Sequence, residues 1–396
     1  MAELQPPRGG FEDPEFLSGH IRSILDFYEN RVVDPSGGFF QTFRDDGTVY
    51  DPGLRHLVSS TRFVFNYATA HRLHGDAHYR DWARHGLEFL HRCHLQPQGH
   101  FAWELRDNAV TDGRAMAYGH AFVLLAAASA FRAGIEEARP LIGETFDFLE
   151  QQFWDGEAGA YADERDPSLE ILSPYRGQNA NMHLCEALIA AFEATGEKRF
   201  YDRSAALAEK FAGDIADLAD GMIWEHYTTG WRPDFEYNQD KPDDLFKPWG
   251  YQPGHQVEWT KLLLQLNAHS PSDWLVQRAA GLYRKAMDKG WDGEFGGLVY
   301  GFAPDGSFCD AHKYFWVQAE AIAAAWRLFR VTGEKQYLAD YQRLWQWSWS
   351  HLIDHRQGAW FRIRNRDGSP VDDLKSPPGK TDYHTLGACW DILSQM

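Results

Sequence analysis

Three features on which many proteins rely are scarce or missing in this sequence. Cysteine occurs only four times in 396 residues, widely spaced and never as C-x-x-C, which excludes a disulfide-rich scaffold and a paired-cysteine zinc site. No apolar run approaches the length of a membrane span, and the first residues, MAELQPPRGGFEDPEF, contain no apolar segment typical of a secretory signal. Positive charge is also short, since the formal net charge is −18, which disfavours nucleic acid and anionic membranes as partners. These absences predict a cytoplasmic protein.

Aromatic residues, by contrast, are abundant. They make up 15% of the chain and include 16 tryptophans, within a hydrophobic fraction of 44%. Such a chain is able to bury a large core, and its length fits one large domain or two ordinary ones. Most of these rings are expected to pack in the core, and a few to line a ligand cleft.

A motif that combines glycine with aromatic residues recurs six times. If one glycine marks each copy, four of the five steps are 60–62 residues and one is 75 residues. A period of this length indicates a repeat architecture. Glycine permits a tight turn and the alternating aromatic residues favour short strands, so each copy predicts a turn or a short strand pair. The markers are Gly38, Gly99, Gly159, Gly221, Gly296 and Gly358.

A second motif separates two helices within the period. The segments LHGDAHY, TGEKRFY and TGEKQYL place Gly75, Gly196 and Gly333 at the end of one helix, and the acidic residue after each glycine suits the first turn of the next helix. Six helix pairs predict an all-α fold, the (α/α)6 barrel, with short β-hairpins at one end and a single domain over residues 1–396. The alternative is an open α-solenoid, which is disfavoured because a closed ring leaves no exposed ends.

The predicted inner helices share a polar residue near their start. Each follows a glycine–aromatic motif and is rich in Ala, Leu or Val, as an inner ring requires. If all six run the same way, their N-termini gather at one end of the barrel, where partial positive charge and unpaired N–H groups stabilise an anion. The residues predicted to face this end are Arg62, His120, His183, His255 with Glu258, Gln318 with Glu320, and His384.

His255 and Glu258 lie three residues apart and therefore share a helical face. They could form only a local hydrogen-bond pair at the helix start, or they could be catalytic. The spacing recurs in a second inner helix as His183-x-x-Glu186, which favours a functional role. A metal site is a rival interpretation, since His and Glu are ligands, but di-metal bundle proteins use Glu-x-x-His in the opposite order.

Four other positions remain open from the residues alone. His120 follows Tyr118-Gly119 and could be only a cap. Arg62 lies in an apolar helix and needs a partner, either a structural acid or a substrate oxygen. Trp249 and Trp316 are near the predicted mouth, although tryptophan is more often a core residue than a ligand platform.

Several separated segments resemble the N-acylglucosamine 2-epimerase superfamily. The resemblance implies an (α/α)6 barrel that interconverts sugars at C1 and C2 without a metal or another cofactor. Trp259, directly after Glu258, resembles the aldose–ketose isomerase branch, which includes mannose isomerases and sulfoquinovose isomerases. The matching segments are RGQNANMHLCEALIAAFEATGEKRFYDRS from Arg176, PGHQVEW from Pro253, FWVQAEA from Phe315 and DYHTLGACWD from Asp382.

The same resemblance implies roles for individual residues. His255 and His384 would form the acid/base pair, with Glu258 supporting His255. Arg62 and His183 would bind sugar oxygens. We predict further substrate contacts from Trp316, which would form an aromatic wall, and from Asn179, Trp249, Glu320 and His120.

The predicted reaction is the interconversion of D-mannose and D-fructose, or of D-lyxose and D-xylulose, by histidine-mediated proton transfer through a cis-enediolate. A sugar 2-epimerase and a sulfoquinovose isomerase are the alternatives within the superfamily. A glycoside hydrolase would need two carboxylates that flank the bond, whereas the predicted mouth is richer in histidine. A non-catalytic sugar-binding module would not need two histidines at these positions. The predicted partner is a monosaccharide, and the protein would be a monomer or a homodimer.

One segment matches neither branch clearly. It runs from Arg362 to Lys380 and is expected to help fix the choice of substrate. The series Arg362, Arg364 and Arg366 alternates as in a strand and predicts a solvated strand face.

Overall fold

Two concentric rings of six α-helices each make up most of residues 5–396, the part of the chain that the computed structural model describes. The inner ring contains α2 (Leu57–His74), α4 (Ala117–Arg132), α6 (Gln178–Thr195), α8 (Pro253–His269), α10 (Phe315–Thr332) and α12 (Tyr383–Leu393). The outer ring contains α1 (Pro14–Glu29), α3 (Ala77–Phe89), α5 (Arg139–Gln152), α7 (Lys198–Ala208), α9 (Asp273–Gly290) and α11 (Lys335–His351). A 3₁₀ turn, Glu136–Ala138, precedes α5, and π-helical turns extend α3 and α7 over Leu90–His94 and Glu209–Ile215.

The inner ring closes on itself. Each inner helix packs against the next one along the chain, and α12 packs back against α2. Five outer helices pack against the inner helix that precedes them, whereas α1 packs against α12 and so completes the sixth pair from the other end of the repeat series. The arrangement confirms the predicted (α/α)6 barrel over the open solenoid.

Glycines end three of the inner helices as the second motif predicts. Gly75, Gly196 and Gly333 follow α2, α6 and α10 with φ of 78°, 73° and 73°. This left-handed conformation lets the backbone N–H of each glycine bond to a carbonyl of the last turn, at no cost from a Cβ atom. The loop to the outer helix is therefore short, which keeps the two helices of each pair antiparallel.

The glycine–aromatic motifs form turns at the end of the barrel where the inner helices begin. All six marker glycines have φ between 67° and 89°, and local β-bridges or strand pairs cross the turns at Gly38, Gly99, Gly159, Gly296 and Gly358. The described part of the chain contains thirteen short strands, namely β1 (Leu54–His56), β2 (Glu104–Arg106), β3 (Ala109–Asp112), β4 (Ala115–Met116), β5 (Trp154–Asp155), β6 (Ala160–Tyr161), β7 (Glu164–Arg165), β8 (Arg176–Gly177), β9 (His226–Tyr227), β10 (Gly301–Phe302), β11 (Phe308–Asp310), β12 (Lys313–Tyr314) and β13 (Ile363–Arg364).

Local hairpins are only part of the strand pairing. The strand that leads into an inner helix pairs antiparallel with the strand that follows the next outer helix, as in β1 with β2, β4 with β7, β8 with β9 and β12 with β13. Partners such as Leu54 and Arg106 are therefore about fifty residues apart in sequence. These pairs fix the start of four inner helices, α2, α4, α6 and α10, against the end of the same repeat.

The core fills the space within and between the rings. The inner helices are buried along almost their whole length, and the small alanine side chains of α4, α6 and α10 let these helices approach their neighbours closely. Most of the bulky rings pack in the core, including the fully buried Trp224, Trp259, Trp345 and Trp360. Within residues 5–396, no helix combines the length and apolar character that crossing a membrane requires.

Candidate active site

A cavity opens at the end of the barrel where the inner helices begin. It encloses about 730 Å³ of empty space, including its open mouth, and all six inner helices supply side chains to it, so they run in the same direction, as predicted. Seven of the ten predicted site residues line it, namely Arg62, Asn179, His183, His255, Glu258, Trp316 and His384.

The ring of His255 is held through its Nδ1 atom by two neighbouring side chains. Its Nδ1 lies 2.9 Å from Oε1 of Glu225 and 2.9 Å from Nε2 of Gln178. The indole N–H of Trp259 donates to Gln178 Oε1 at 2.8 Å, and since an indole only donates, the amide N–H of Gln178 must face Glu225 and His255. The same amide N–H donates to Glu225 Oε2 at 3.0 Å. A carboxylate only accepts, so Nδ1 of His255 carries a proton and donates it to Glu225. Nε2 of His255 has no hydrogen-bond partner among the described residues and is available to a ligand.

Glu258 does not support His255, so this part of the prediction is wrong. The i, i+3 spacing places both residues at the cavity, but Glu225 is the carboxylate that contacts the His255 ring. Among the described residues, neither carboxylate oxygen of Glu258 has a hydrogen-bond partner, and the side chain is only 1% exposed. Burial, reinforced by the negative charge of Glu320, raises the pKa of Glu258 well above its usual value. Glu258 is therefore able to present a carboxylic acid to a ligand.

His384 has one defined tautomer. Nη2 of Arg62 lies 3.3 Å from His384 Nε2, and Nδ1 lies 2.7 Å from Oε1 of Glu320. A guanidinium only donates, so Nε2 must accept, and Nδ1 carries the proton that it donates to Glu320. Burial, together with the positive charge of Arg62, lowers the pKa of His384 well below its usual value. The ring is therefore a neutral base at neutral pH.

The backbone before His384 is strained. Thr381 and Asp382 are successive non-glycine residues with φ of 46° and 53°, a conformation that costs on the order of 1–3 kcal/mol per residue. The buried Asp382 carboxylate holds this segment, because it accepts hydrogen bonds from the Tyr28 hydroxyl at 2.6 Å and from the Lys380 ammonium. This anchoring fixes the direction in which α12 begins and the position of His384.

Arg62 finds its partners without a carboxylate. Within residues 5–396 it forms no ion pair; it donates to the backbone carbonyl of Gly379 and to the Tyr118 hydroxyl. Its guanidinium carbon lies 4.3 Å from the centre of the Phe122 ring and 4.7 Å from that of Tyr383. Stacked between two rings, Arg62 keeps a positive charge at the cavity without a direct ion pair.

His183 lies close to His384, with 6.3 Å between the ring centres. Its Nδ1 is 3.1 Å from Glu186 Oε2 and 3.7 Å from Glu258 Oε1. Burial lowers the pKa of His183 to about 4. The neutral ring therefore donates from Nδ1 to Glu186 and carries its lone pair on Nε2.

Trp316 forms an aromatic wall that contacts both candidate acid/base groups. Its ring centre is 5.0 Å from that of His255 and 5.7 Å from that of His384. The two histidines are thus placed along one side of the cavity. Further aromatic and apolar side chains complete the lining, namely Leu245, Phe246, Tyr300, Tyr314 and Phe315.

Three predicted substrate contacts lie outside the cavity lining. His120 is buried, and its ring nitrogens cap backbone groups, one 2.7 Å from the Met116 carbonyl oxygen and the other accepting from the Phe101 N–H at 3.1 Å. Trp249 donates its indole N–H to the Phe235 carbonyl and packs against Trp224. His120 and Trp249 are therefore structural.

Glu320, the third of these residues, lies behind His384 rather than at the cavity. It contacts His384 Nδ1 through one oxygen, and its other oxygen is 2.7 Å from Lys261 Nζ. Lys261 is also 3.4 Å from Glu186. Glu320 can therefore act on a substrate only through His384.

Two overlapping groups could bring ligand atoms together around a metal ion. They are His183, Glu186 and Glu258, and Glu258, Glu320 and His384, in each of which the ligand atoms lie within 4.8 Å of one another. The cations Lys261 and Arg62 already contact members of both groups. A divalent ion would have to compete with these fixed charges, so the cluster fits an internally neutralised site better than a metal site.

Several residues that line the cavity, or that contact a lining residue as Glu225 does, escaped the sequence analysis. Glu225 lies in the fourth glycine–aromatic motif, where a buried acid among aromatic residues was an available signal. Arg362 lines the cavity, Arg364 is buried and Arg366 is exposed, so the prediction of a solvated strand face is wrong for the first two. The segment Pro377–Lys380 also lines the cavity, as a segment that contributes to substrate choice must.

The chain was compared with known proteins. A profile of the N-acylglucosamine 2-epimerase (GlcNAc 2-epimerase) family matches residues 38–388. The chain is 48% identical to a D-mannose isomerase of Marinomonas mediterranea over 387 residues, which cover 98% of each chain. It is 35% identical to a D-mannose isomerase of Thermobifida fusca over 91% of this chain and 89% of that one.

The fold agrees with these sequence matches. A crystal structure of a D-mannose isomerase superposes with a TM-score of 0.96 at 48% identity and covers 98% of this chain and 99% of its own. The family profile spans most of the repeat series, including every residue that we place at the cavity. The chain therefore belongs to the N-acylglucosamine 2-epimerase family.

Proposed function

We propose that this protein is an aldose–ketose isomerase that interconverts D-mannose and D-fructose. The observation that carries the proposal is the fixed state of His384, a neutral base whose unprotonated Nε2 lies beside the Arg62 guanidinium. The relatives of this chain that are named D-mannose isomerase support the choice of sugar. The substrate is accordingly a monosaccharide, and the finer assignment to mannose follows from this likeness.

The cavity suits a small sugar. Polar groups converge from several helices, and the rings of Trp316, Tyr300 and Phe315 supply apolar surface for the sugar's C–H groups. Unpartnered oxygens of Asn179 and Glu258 are buried at the cavity and available for sugar hydroxyls. In particular, Glu258 as a neutral acid is able to donate as well as accept a hydrogen bond.

The chemistry begins with ring opening. A base must take the proton from O1 while an acid delivers one to O5. His255 is suited to this exchange because the Glu225 carboxylate on Nδ1 stabilises the ring when Nε2 takes up a proton. His255 and His384 lie along the same aromatic wall. Both are therefore placed to reach one bound monosaccharide.

His384 then moves the proton between carbons. Its Nε2 removes the C2 proton, which leaves a cis-enediolate. The O2 proton passes to O1, and return of the first proton to C1 then gives the ketose. Arg62 stabilises the negative charge that develops on the sugar oxygens, and its stacking between two rings keeps it in place before the reaction. Each acid/base group is expected to contribute on the order of 10²–10⁴ in rate.

Epimerisation at C2 is the second candidate function. It requires a proton to return to the opposite face of C2, and the presence of two histidines on the cavity is the observation that favours it. A glycoside hydrolase fits less well, because Glu258 is the one carboxylate among the described residues that line the cavity, and hydrolysis needs two.

The test is a turnover assay on unmodified sugars. The purified protein is incubated with D-mannose, and fructose and glucose are separated by chromatography. D-Lyxose, cellobiose, mannose 6-phosphate and sulfoquinovose form the comparison panel. Rapid formation of fructose supports the proposal, whereas conversion of only the disaccharide or the sulfonated sugar, with mannose untouched, would overturn it.

A further inference from the structure

Beneath the candidate active site lies a buried charge cluster that consists of Lys261, Glu186 and Glu320. Lys261 Nζ is 2.7 Å from Glu320 Oε2 and 3.4 Å from Glu186 Oε1. Lys261 is 6% exposed and lies on α8, an inner helix. The outer oxygens of the two glutamates contact His384 Nδ1 and His183 Nδ1. A single ammonium group thus lies behind both histidines.

We propose that Lys261 is a positioning residue for the reaction, which keeps Glu320 and Glu186 ionised so that they hold the Nδ1 protons of His384 and His183 and leave both Nε2 atoms as bases. The inference rests on the proposed function, since it assigns the source of the proton state on which that reaction depends. Lys261 itself is separated from the cavity, and its effect is exerted through the two glutamates.

The need for such a cation follows from the number of acids in the cluster. Glu186, Glu258 and Glu320 are packed within one barrel interior, where carboxylates repel one another and burial favours their neutral forms. With Glu258 protonated, two carboxylates remain, and Lys261 and Arg62 supply two positive charges. The buried cluster is then neutral overall, as the stability of buried charge requires.

The pKa shifts of the individual groups agree with this distribution of charge. Burial raises the pKa of Glu320, and Lys261 opposes that rise. Burial opposes ionisation of Glu186 as well, but Lys261 and the hydrogen bond from His183 lower its pKa below the usual value. Burial alone would lower the pKa of Lys261, yet the neighbouring carboxylates raise it above its usual value. Lys261 is therefore charged, and it is the cation that favours both carboxylates.

The charged and titratable groups around Lys261 come from five of the six inner helices. They are Arg62 on α2, His183 and Glu186 on α6, Glu258 on α8, Glu320 on α10, and Tyr383, His384 and Asp391 on α12, of which Tyr383 donates its hydroxyl to Glu186 at 2.6 Å. A second cavity, with about 1360 Å³ of empty space, opens at the opposite end of the barrel and is lined by Lys261, Glu186 and Glu320. Protons are therefore able to exchange with the cluster from the rear of the barrel without entry through the substrate cavity.

The test removes the charge and follows the pH dependence of isomerisation. In Lys261→Met, Glu320 loses the cation that favours its ionised form, so its pKa should rise. Because the ionised form is the active one, activity should fall at neutral pH and recover as the pH increases. We expect the acid limb of kcat/KM for mannose to move upward by at least one pH unit, with a drop of about tenfold or more in kcat at pH 7 and little change in KM.

Two further variants determine whether the effect passes through Glu320. Glu320→Gln should lower activity without recovery at high pH, since the amide cannot ionise. Adding Lys261→Met to Glu320→Gln should then cost little more, because the two changes interrupt the same interaction. Lys261→Arg, which keeps the charge, should leave the acid limb where it lies in the parent protein.

Lys313→Met is the matched control. Lys313 is also a buried lysine paired with a carboxylate, 3.1 Å from Asp292, but it lies in β12 and contacts neither histidine. Its loss should lower the unfolding temperature without moving the acid limb. Lys261→Gln, which retains a polar side chain, provides the same measurement if the methionine variant does not fold.

The outcomes separate the inference from the function. If the parent protein does not isomerise mannose, the proposed function fails. If the parent is active but a folded Lys261→Met or Lys261→Gln variant retains the parent's acid limb, or if the effects of Lys261→Met and Glu320→Gln multiply fully, Lys261 does not act through Glu320 and the inference is overturned.

Discussion

His255 and His384 contact the same tryptophan, but the protein holds them in different ways. His384 has an obligatory donor, Arg62, on Nε2 and a carboxylate, Glu320, on Nδ1, so a single neutral tautomer satisfies both. His255 also has a carboxylate, Glu225, on Nδ1, but its Nε2 has no hydrogen-bond partner among the described residues. One ring is fixed as a base, and the other is free to alternate.

The difference shows how two identical side chains acquire separate tasks. The cation beside His384 disfavours protonation, whereas the partners of His255 accept either state. A proton shuttle between C2 and C1 needs a constant, correctly aimed lone pair, and ring opening needs a group that both takes and gives a proton. The hydrogen-bond partners of each histidine therefore decide its role. Substitution of these partners tests the comparison.

The largest effect is expected from His384→Gln. The amide keeps a polar side chain but cannot act as the base, so kcat should fall on the order of 10³–10⁴-fold with little change in KM. Exchange of the C2 hydrogen of mannose in deuterated water, followed by NMR, should be lost. His120→Gln serves as the control, since His120 is equally buried but only caps backbone groups. Exchange at the wild-type rate in His384→Gln would exclude His384 as the base.

Glu225→Gln should have the next largest effect. The amide can still contact His255 but no longer stabilises a positively charged ring, so kcat/KM should fall by roughly 10–100-fold, as for other carboxylates that orient a functional histidine. Because C2 exchange belongs to His384, exchange from the opened sugar should be affected less than ring opening. Measuring mutarotation of mannose beside isomerisation separates the two steps. Equal losses in both would mean that the two histidines do not divide the work.

Glu258→Gln is expected to have a smaller effect. If Glu258 is a neutral acid that binds a sugar hydroxyl, glutamine replaces most of its hydrogen bonds, so KM should rise a few-fold and kcat should change little. The original interpretation, in which Glu258 supports His255, instead predicts a loss in kcat. Steady-state kinetics of Glu258→Gln beside Glu225→Gln therefore determine which glutamate serves His255.

The pH dependence of C2 exchange should be weak where an ordinary histidine would titrate. Since burial and Arg62 lower the pKa of His384 well below 6.5, the ring should stay unprotonated as the pH falls from 7.5 to 6. A histidine with an unshifted pKa would retain only about a quarter of its neutral form at pH 6. Exchange within about twofold of the pH 7.5 rate supports the assignment, and a fourfold loss would contradict it.

Chelation should produce the smallest change. Arg62 and Lys261 already supply positive charge to the two groups of potential ligands, so prolonged dialysis against a chelator should leave isomerisation within experimental scatter. A loss of activity that one added divalent ion restores would show that a metal is required.

The sequence predicted the ring and its polar end because both depend on local rules. The marker glycines adopt the left-handed conformation that their turns require, and Gly75, Gly196 and Gly333 end helices as expected. Residues at equivalent positions of the inner helices therefore lie at a similar depth along the barrel axis. Six of these repeats were sufficient to predict where a site would form.

The errors arise from contacts that no periodicity contains. Helical spacing shows that His255 and Glu258 share a face, but it does not reveal that Glu225, thirty residues earlier, reaches the ring first. His120 has the right height but points toward the outer layer, where it packs against Phe148. Glu320 lies behind His384, between that ring and Lys261. Which side chains contact each other inside the barrel depends on tertiary packing, which a repeat pattern does not contain.

Activity depends on a late step of folding, the packing of α1 against α12 that closes the ring. The hydrogen bond from Tyr28 to Asp382 joins residues 354 positions apart and anchors the strained turn that aims His384. Contacts of such long range form late, because the intervening chain must first be ordered. A nascent or refolding chain would thus assemble five helix pairs and remain inert, since the base arrives only with the last inner helix. Recovery of isomerisation after dilution from denaturant should consequently lag behind the return of helical signal.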